Sequence, residues 1–584
     1  MATIEEKLSK TEYGTEVLSG ADIFIEELHR QNTDFIFGHP GGAIMPGYDS
    51  LYKNNGRIKH ILFAHEQSAV HAASGYSRRH KNKKIGACIA TSGPGAMNFA
   101  TGLGDAKGDS TALVAFTGQV PTYLMGTDAF QETDTIGFSM PLTKHNILVR
   151  DVKDLPRKIR EAFYIAGTGR PGPVLVDLPK DVLLAKMEYN PNDPVYNIKL
   201  PGYRIPKNID ENSIDKAVEL IKSARNIMIY TGGGVLSSDS TQELVTLAEK
   251  LDSPVTTTLA GLGGFPESHR LSRRWLGMHG SPAANYGVNK ADLLIAIGAT
   301  FDDRVTGKLS EFSPNSKKIH IDIDEVEINK NVRVDAGIIG DAKKTLQILS
   351  DILSQKYNDK WHKELDEIES KFPFPKEYDK TSSVIKPQYV IESLYKITNG
   401  KAVLTTGVGQ HQMWAAQYWK FDNPNYISSL RVATMGYGQP ASIGAYYADP
   451  ESLIINIDGD GSNMMTINAF FTIAQQNLPI KTIIFKNWYL GMVRNWQDLF
   501  FGERLSEVDL KILRNGSYYP QFAKGISALF GIDGKTVMQK EDVVPSLEEL
   551  INYENAYVLE ILVDPTENVF PIVPSGAAWH EFIY

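Results

Sequence analysis

Short apolar runs that end in glycine, aspartate or asparagine recur along this chain, and each is followed by a stretch with helical periodicity. The runs fall into three groups. Representative runs are DFIFGHPG and GPVLVDLPKD in the first group, NIMIYTGGG and KKIHIDID in the second, and LIINIDGDG and KTIIFKN in the third. Near-continuous apolar strands that alternate with helices are typical of parallel sheets covered on both faces. The sequence therefore predicts an α/β protein with three doubly wound parallel-sheet domains, whose ligands bind at the carboxyl ends of the strands.

Two stretches that are rich in proline and lack periodicity separate the three groups. One covers residues 189–208, and the other covers residues 371–388 after the charged helical run KWHKELDEIESK. We therefore predict domains at residues 1–188, 209–370 and 389–584, with the two stretches as linkers.

Composition and charge exclude several classes of partner. A net charge of -9 argues against nucleic acid or an anionic membrane as the main partner. No apolar run is long enough for a transmembrane helix, and MATIEEKLSKTEYG resembles neither a signal peptide nor a transit peptide. The single cysteine, Cys88, lies in the apolar run IGACIAT, which indicates core packing without internal disulfides. We expect a cytoplasmic protein.

The segment DGDGSN, Asp458 to Asn463, carries the clearest chemical signal. Asp460 follows one predicted strand, and Asn487 follows the next strand, KTIIF, after a predicted helix over MMTINAFFTIAQQ. Two hard oxygen ligands at one edge of a parallel sheet suit Mg²⁺, which usually shares its shell with a phosphorylated ligand. The spacing predicts a Mg²⁺-diphosphate site, and the plain alternative is an ordinary turn.

Two other phosphate or metal motifs do not fit. A calcium loop beginning at Asp458 would need glycine and an acid where Asn463 and Ala469 stand. A Walker A motif fails because Lys308 is followed by Leu309 rather than by serine or threonine.

Glu66 follows an apolar strand in ILFAHEQSAVHAASGY. Three α/β segments, a Mg²⁺-diphosphate turn in the last and this glutamate in the first resemble the thiamine-diphosphate-dependent decarboxylases and carboligases. In that superfamily a carboxyl group on the cofactor's aminopyrimidine promotes the imino form, which removes the thiazolium proton. The plain alternative for Glu66 is a helix N-terminal acid favoured by the helix dipole.

Many further motifs, from about Tyr13 to the end, resemble the catalytic subunit of acetohydroxyacid synthase (acetolactate synthase). They include TSGPGAMN, FTGQVPTYLMGTDAFQETDTIG, RPGPVLVDLPKDV, FDDRVTGKL, GVGQHQMWAAQYW, TMGYGQPASIGA and NWYLGMVRNWQ. The resemblance implies a transferase that decarboxylates pyruvate and condenses the hydroxyethyl carbanion with pyruvate or 2-ketobutyrate. The products would be 2-acetolactate or 2-aceto-2-hydroxybutyrate, in branched-chain amino acid biosynthesis.

The resemblance also implies partners. It implies a homodimer or tetramer with each active site between two subunits, and a small regulatory subunit. A pyruvate oxidase, a 2-keto acid decarboxylase and a non-catalytic homologue are the alternatives.

Site residues in the third segment follow from the resemblance. Asp460, Asn487 and the carbonyl of Tyr489 would complete the Mg²⁺ shell, and Met435 would hold the cofactor in its bent form. The remaining residues implied to bind thiamine diphosphate are Val408, Gly409, Gln410, His411, Gly459, Gly461, Ser462, Leu490, Gly491 and Met492.

Substrate residues follow in the same way. Arg304 in FDDR presents a planar fork suited to a 2-keto acid carboxylate. Trp496 would press on the extra methyl group of 2-ketobutyrate, an effect of about 1–3 kcal/mol per methylene. The other implied catalytic or channel positions are Gly42, Phe130, Gln131 and Lys180.

The resemblance implies FAD with a structural rather than a redox role. The three glycines Gly232, Gly233 and Gly234 follow the strand NIMIY and would let a dinucleotide lie close. The other implied FAD positions are Arg170, Leu276, Gly277, Met278, His279, Asp302, Asp322 and Asp341.

The chain departs from the family pattern at several positions. Thr300 stands where an arginine usually contacts FAD, and Arg431-Val432-Ala433 stands where Gly-Leu-Gly is common. His39 replaces a tyrosine and Ser68 a glycine. These changes affect the expected FAD affinity and substrate preference, but not the proton chemistry at Glu66.

Overall fold

A computed structural model describes residues 16–54, 56–376 and 383–584. The amino-terminal stretch considered above and residues 377–382 of the second predicted linker lie outside these ranges. The chain forms two compact units: one contains Asn82–Arg204 and the described residues up to Arg78, and the other contains Arg79–Lys81 and Ile205–Tyr584. The unit boundary after Arg204 falls in the first predicted linker, and the exact domain limits stay a prediction.

The first unit is built on a six-stranded parallel sheet with the order β3-β2-β4-β5-β7-β6. A separate antiparallel pair joins β1 to β8. The strands are β1 (Glu16–Ser19), β2 (Phe35–Gly38), β3 (Lys59–Leu62), β4 (Gly86–Ala90), β5 (Leu113–Gln119), β6 (His145–Leu148), β7 (Pro173–Pro179) and β8 (Lys186–Tyr189). The α-helices are Gly20–Arg30, Met45–Lys53, Glu66–Arg79, Pro94–Met97, Ala100–Gly108, Thr135–Ser139, Leu155–Gly167 and Lys180–Leu184.

The second unit contains two further six-stranded parallel sheets, and the first of these is the central sheet. Its order is β11-β10-β9-β12-β13-β14. Its strands are β9 (Ile227–Thr231), β10 (Val255–Thr257), β11 (Ser272–Trp275), β12 (Leu293–Ile297), β13 (Lys317–Asp322) and β14 (Ala336–Ile339). The associated α-helices are Glu211–Ser223, Gly233–Ser237, Thr241–Leu251, Pro282–Lys290, Asp303–Thr306, Ala342–Ile352 and Asp359–Lys371.

The third sheet lies in the C-terminal part and has the order β16-β15-β17-β18-β22-β21. A hairpin, β19–β20, stands apart from it. The strands are β15 (Val403–Thr406), β16 (Tyr426–Ser428), β17 (Ile454–Gly459), β18 (Lys481–Lys486), β19 (Ile512–Arg514), β20 (Ser517–Tyr519), β21 (Asp533–Val537) and β22 (Tyr557–Leu562). The α-helices are Pro387–Thr398, Gln410–Tyr418, Gly438–Ala448, Asp460–Met465, Ala469–Gln475, Gly491–Phe500, Phe522–Phe530 and Val543–Asn552.

Both faces of each sheet are covered, which explains the continuous apolar runs. In β12, Leu293, Ile295 and Ile297 belong to one core cluster, and the alternate residues Leu294 and Ala296 belong to another. Successive side chains of a strand point to opposite faces, so both faces of β12 are buried. The prediction of three doubly wound parallel sheets is confirmed.

Two smaller predictions have different outcomes. Cys88 is fully buried in β4, as the apolar run indicates, and burial raises the pKa of its thiol well above the usual value. The single helix predicted over MMTINAFFTIAQQ is wrong, because two short helices end and begin around Thr466. The Thr466 hydroxyl donates to Gly436 O over 2.7 Å and Thr466 has a non-helical ψ of 31°, so the helix is interrupted there.

Candidate active site

Three helices of the C-terminal part begin at the rim of one cavity. They are Gln410–Tyr418, Asp460–Met465 and Gly491–Phe500, which follow the β15, β17 and β18 ends of the sheet. The cavity has an empty volume of about 460 Å³, including the space at its mouth. Helix N-termini present unpaired N–H groups and a partial positive charge, so the cavity favours an anion.

Every residue of the third segment predicted to bind the cofactor lines this cavity. The wall also contains three apolar residues that sequence reasoning missed, because nothing distinguishes them from core residues: Trp414, Phe485 and Val493. The predicted members are Val408, Gly409, Gln410, His411, Met435, Gly459, Asp460, Gly461, Ser462, Asn487, Tyr489, Leu490, Gly491 and Met492.

Asp460 and Asn487 are arranged as hard oxygen donors at this cavity. Asp460 Oδ2 accepts from Trp488 N over 2.7 Å, which ties the turn after β17 to the turn after β18. Burial raises the pKa of the Asp460 carboxyl to about 7, against the lowering effect of backbone N–H groups from Trp488 and Gly461. A buried carboxyl in this state is stabilised in its ionised form by a bound cation.

Two hydrogen bonds fix the orientation of the Asn487 side chain. Its Nδ2 donates to Gln410 Oε1 over 3.2 Å, and Tyr489 N donates to Asn487 Oδ1 over 3.0 Å. Among the described residues, no group of three or more His, Cys, Asp or Glu side chains is placed to hold a metal. One carboxylate, one amide and one carbonyl need further oxygens to complete a shell, which suits Mg²⁺ with a diphosphate.

A buried polar layer lies beneath the cavity. Asp458 is fully buried, and its Oδ1 lies 3.4 Å from His411 Nε2. Burial raises the pKa of Asp458 to about 6 and lowers that of His411 to about 3, so His411 is neutral at the cavity wall. Ser462 Oγ accepts from Gly436 N over 2.9 Å, which fixes the segment that carries Met435. Asp458 was visible in the DGDGSN motif but was not assigned a role.

The two predicted specificity residues lie together in the second unit. Arg304 stands in the helix Asp303–Thr306 after β12, and its guanidinium carbon lies 6.0 Å from the ring centre of Trp496. The Arg304 side chain is 58% exposed, and its ion pair with Asp303 spans 3.7 Å. A solvent-accessible guanidinium over an aromatic face keeps its fork available for a carboxylate.

Glu66 begins the helix Glu66–Arg79 of the first unit and is 8% exposed. Asn98 Nδ2 donates to Glu66 Oε2 over 2.8 Å. A Cβ on Gly95 would lie only 3.2 Å from Glu66 Oε1, so the absence of a side chain there leaves room beside that oxygen. Asn98 is the last residue of the TSGPGAMN motif, but no spacing rule connects it to Glu66.

The other predicted residues of the first unit have different settings. Gly42 has no atom within 4 Å of a Cβ position, and Phe130 is 88% exposed. Gln131 has a φ of +60°, and Lys180 begins the helix Lys180–Leu184 at the end of β7. Arg170 Nε donates to Ser110 Oγ over 2.8 Å within this unit.

The carboxyl edge of the central sheet carries most of the residues predicted to bind FAD. Asp302 and Asp341 are helix N-caps, accepting from Val305 N and Lys344 N, and Asp322 Oδ1 accepts from Asp324 N. Each carboxylate therefore has a local role in its own turn. These roles do not require a dinucleotide.

Backbone packing explains two of the three glycines of this edge. A Cβ on Gly232 would lie 2.4 Å from Gly298 O, and one on Gly234 would lie 2.5 Å from Gly298 Cα. Contact with the chain's own loop makes glycine necessary at these two positions, while Gly233 remains open. Their role in binding FAD stays a prediction.

Hydrogen bonds to other parts of the chain hold the loop after β11, residues 276–279, in place. Met278 N donates to Arg304 O over 3.0 Å, and Gly277 N donates to Asn285 Oδ1 over 2.9 Å. Gln417 Nε2 donates to His279 O over 2.9 Å, and burial lowers the pKa of His279 to about 4. The neighbouring Leu276 is buried.

The residues that depart from the family pattern differ in their contacts and backbone conformation. Thr300 O accepts from Tyr230 Oη over 2.6 Å, and His39 Nδ1 lies 2.7 Å from Phe63 O. Ser68 is 1% exposed in the helix Glu66–Arg79. Ala433 has a φ of +57°, the left-handed region in which glycine is favoured.

Comparison with known proteins agrees with this arrangement. The chain matches three families of thiamine pyrophosphate enzymes: the N-terminal TPP binding domain over residues 18–138, the central domain over residues 214–349, and the C-terminal TPP binding domain over residues 407–561. It is 42% identical over 574 residues to acetolactate synthase 3, chloroplastic, of Brassica napus, covering 97% of this chain and 86% of that protein. The chain belongs to the acetolactate synthase family.

Two further relatives have the same percentage of identical residues to this member of the acetolactate synthase family. Acetolactate synthase 1, chloroplastic, of Zea mays is 42% identical over 97% of this chain and 89% of its own length. The probable acetolactate synthase large subunit of Methanocaldococcus jannaschii is 42% identical over 96% of this chain and 94% of its own length. The resemblance found in the motifs is confirmed, and thiamine diphosphate is the cofactor of the family. No helix among the described residues is long and apolar enough to cross a membrane.

Proposed function

We propose that this protein is an acetolactate synthase. It decarboxylates pyruvate and joins the remaining two-carbon unit to a second 2-keto acid, pyruvate or 2-ketobutyrate. One proton is taken up and CO₂ is released for each acetohydroxy acid formed. The observation that carries the proposal is the single cavity lined by all fourteen residues implied by the family motifs of the C-terminal part.

Thiamine diphosphate and Mg²⁺ fit this cavity. The N-termini of three helices favour the diphosphate, and the buried carboxyl of Asp460 favours a cation beside it. Asp460 Oδ, Asn487 Oδ1 and the Tyr489 carbonyl would hold Mg²⁺, and Met435 would support the bent cofactor. When bound, thiamine diphosphate supplies the carbon nucleophile and the electron sink for the reaction.

Glu66 would exchange a proton with the aminopyrimidine of the cofactor. Its Oε2 accepts from the Asn98 amide, so Oε1 beside Gly95 would be the atom that shares a proton with the pyrimidine nitrogen. Burial at the start of a helix keeps water away from this carboxylate. The hydrogen bond from the Asn98 amide fixes the orientation of the Glu66 carboxylate, and proton transfer requires such a fixed orientation.

Arg304 would bind the carboxylate of the second 2-keto acid, and Trp496 would contact its alkyl group. The supporting observation is their contact, with the guanidinium over the indole ring. Gly42, Gln131 and Lys180 would line the same substrate channel. Preference for 2-ketobutyrate over pyruvate would then depend on one methylene contact, of about 1–3 kcal/mol.

FAD is proposed as a structural cofactor at the carboxyl edge of the central sheet. Asp302 and Asp341 follow β12 and β14, and Asp322 is the last residue of β13, which lies between those two strands. No step of the reaction passes through FAD.

The assembly is proposed from the resemblance. We propose a homodimer or tetramer in which Glu66 of one subunit serves the cavity of another. A small regulatory subunit is a further proposed partner, and one relative is named as a large subunit. A cytoplasmic location stays a prediction, since the plant relatives are named as chloroplastic.

Product analysis tests the function. Purified protein is incubated with thiamine diphosphate, Mg²⁺ and a mixture of pyruvate and 2-ketobutyrate, with and without FAD. We expect 2-acetolactate and 2-aceto-2-hydroxybutyrate. Free acetaldehyde without acetohydroxy acids would indicate a decarboxylase, and steady-state reduction of the flavin by pyruvate would indicate an oxidase.

A further inference from the structure

Asp177 is a buried acid in the first unit that the proposed chemistry does not use. It lies in β7 opposite Thr117 of β5 and is 1% exposed. Thr117 Oγ1 donates to Asp177 Oδ1 over 2.7 Å, and Gln119 Nε2 donates to Asp177 Oδ2 over 3.0 Å. Burial raises the pKa of this carboxyl to about 7, and hydrogen bonds from Thr117, Gln119 and Thr135 oppose that rise.

Gln119 connects this carboxylate to the segment that follows β5. Its Nε2 also donates to Thr133 O over 3.0 Å and lies 3.3 Å from Thr135 Oγ1, while its Oε1 accepts from Val120 N over 2.9 Å. A carboxylate accepts but does not donate, so Asp177 requires the amide NH₂ to face it. The same orientation places the NH₂ on Thr133 O. The start and the end of segment 120–133 are therefore held by one side chain.

Gln131 lies in this segment, two residues before Thr133. It has a φ of +60°, and a Cβ on Gly93 would lie 2.8 Å from Gln131 O. Gly93 is the N-cap of the short helix Pro94–Met97, in which Gly95 leaves room beside Glu66 Oε1. Movement of Thr133 would therefore shift Gln131 against the start of the helix that faces Glu66.

We propose that Asp177, acting through Gln119, is a positioning residue that sets the place of Gln131 in the 2-keto acid channel. Lys180, the other channel residue of this region, follows Asp177 by three positions at the end of β7. The inference rests on the proposed function, because it takes Gln131 as a residue of the channel.

A double-mutant cycle between Asp177→Asn and Gln131→Ala tests this link. An asparagine offers one acceptor oxygen in place of two and carries no charge, so it weakens the hydrogen bond that holds the Gln119 amide. We expect the KM for pyruvate to rise about tenfold in Asp177→Asn, which corresponds to ~1.4 kcal/mol, with a smaller change in kcat. In the Gln131→Ala background the same substitution should change KM by less than about twofold.

Thr117→Val is the matched control. It removes a donor to the same carboxylate but leaves the bond from Gln119 to Thr133 in place, so we expect a KM within about twofold of the wild type. Gln119→Met removes the amide itself and is the second variant if Asp177→Asn does not fold. It should reproduce the rise in KM.

Independent effects of Asp177→Asn and Gln131→Ala on KM, or an equal rise in Thr117→Val, would overturn the inference. Failure of the proposed function has a different signature, because the wild-type protein would then form no acetohydroxy acid from pyruvate. Wild-type activity with multiplicative effects in the cycle would reject the positioning role alone.

Discussion

Replacement of Glu66 by glutamine separates its proposed chemistry from its structural role. The substitution keeps the size of the side chain and an acceptor for Asn98, but it removes the ionisable oxygen. Glutamine cannot exchange a proton with the pyrimidine nitrogen at neutral pH. We therefore expect a folded protein that activates the cofactor poorly.

The substitution has two effects of different size, the weakening of one hydrogen bond and the loss of acid–base catalysis. The bond from Asn98 Nδ2 to Glu66 Oε2, 2.8 Å long, would change from charge-assisted to neutral, a local loss of about 1 kcal/mol. General acid–base catalysis contributes about 10²–10⁴-fold, or ~3–5.5 kcal/mol at 1.36 kcal/mol per decade. The chemical loss is the larger, so kcat should fall by at least about a hundredfold.

Exchange of the cofactor's C2 proton reports the first chemical step directly. Protein loaded with thiamine diphosphate and Mg²⁺ is mixed with deuterated water and quenched with acid, and NMR follows the loss of the C2 signal. Asn98→Ala is the control, since it retains the carboxylate and removes only the hydrogen bond. It should slow exchange by no more than about tenfold.

Thermal unfolding of each variant checks that the fold is intact. An unchanged C2 exchange rate in folded Glu66→Gln protein would refute the proposed proton transfer. A loss in Asn98→Ala as large as that in Glu66→Gln would assign the effect to side-chain placement rather than to proton exchange.

Two further experiments give independent tests. Ala433 has a φ of +57°, so Ala433→Gly should relieve strain and raise the unfolding temperature by about 1–2 °C, from a net gain of ~0.5 kcal/mol. Ala224→Gly, where φ is −73°, should lower it, and a decrease in both variants would contradict the strain at Ala433. Mixing inactive Glu66→Gln and Asp460→Asn chains should recover about one quarter of wild-type activity, because half of the random dimers contain one intact site. No recovery after confirmed subunit exchange would contradict a site shared between subunits.

Particular elements show how far sequence reasoning reaches for the fold. Runs such as LIINIDGDG and DLLIAIGAT became β17 and β12 because both faces of a parallel strand are buried, which makes the whole run apolar. The helix over MMTINAFFTIAQQ was wrong at Thr466, where a hydroxyl bond to Gly436 O from a distant segment breaks a locally favourable pattern. Local periodicity does not contain that tertiary contact.

The candidate site shows the same difference between what local motifs predict and what tertiary contacts decide. Asp460 and Asn487 were predicted from motif spacing, which places them at the carboxyl ends of neighbouring strands, and the other cavity residues were implied by the family resemblance. Asn98 and Asp458 stand in motifs that the sequence analysis noted. Their contacts with Glu66 and His411 bring together residues that are far apart in the chain, so no spacing rule predicts them. The contact of Gly232 and Gly234 with Gly298 is likewise a tertiary contact that the glycine run does not show.

The sequence by itself determined the class of sheet and the family, and it predicted residues for a metal and a diphosphate, because these depend on residue type and short spacing. The tertiary structure alone decided which side chains hold the others in place. The link from Asp177 through Gln119 to Thr133 joins two strands and a loop. Its donors and acceptors come together only when the parallel sheet aligns Thr117 with Asp177, so hydrogen-bond geometry across strands carries information that the linear order of residues does not.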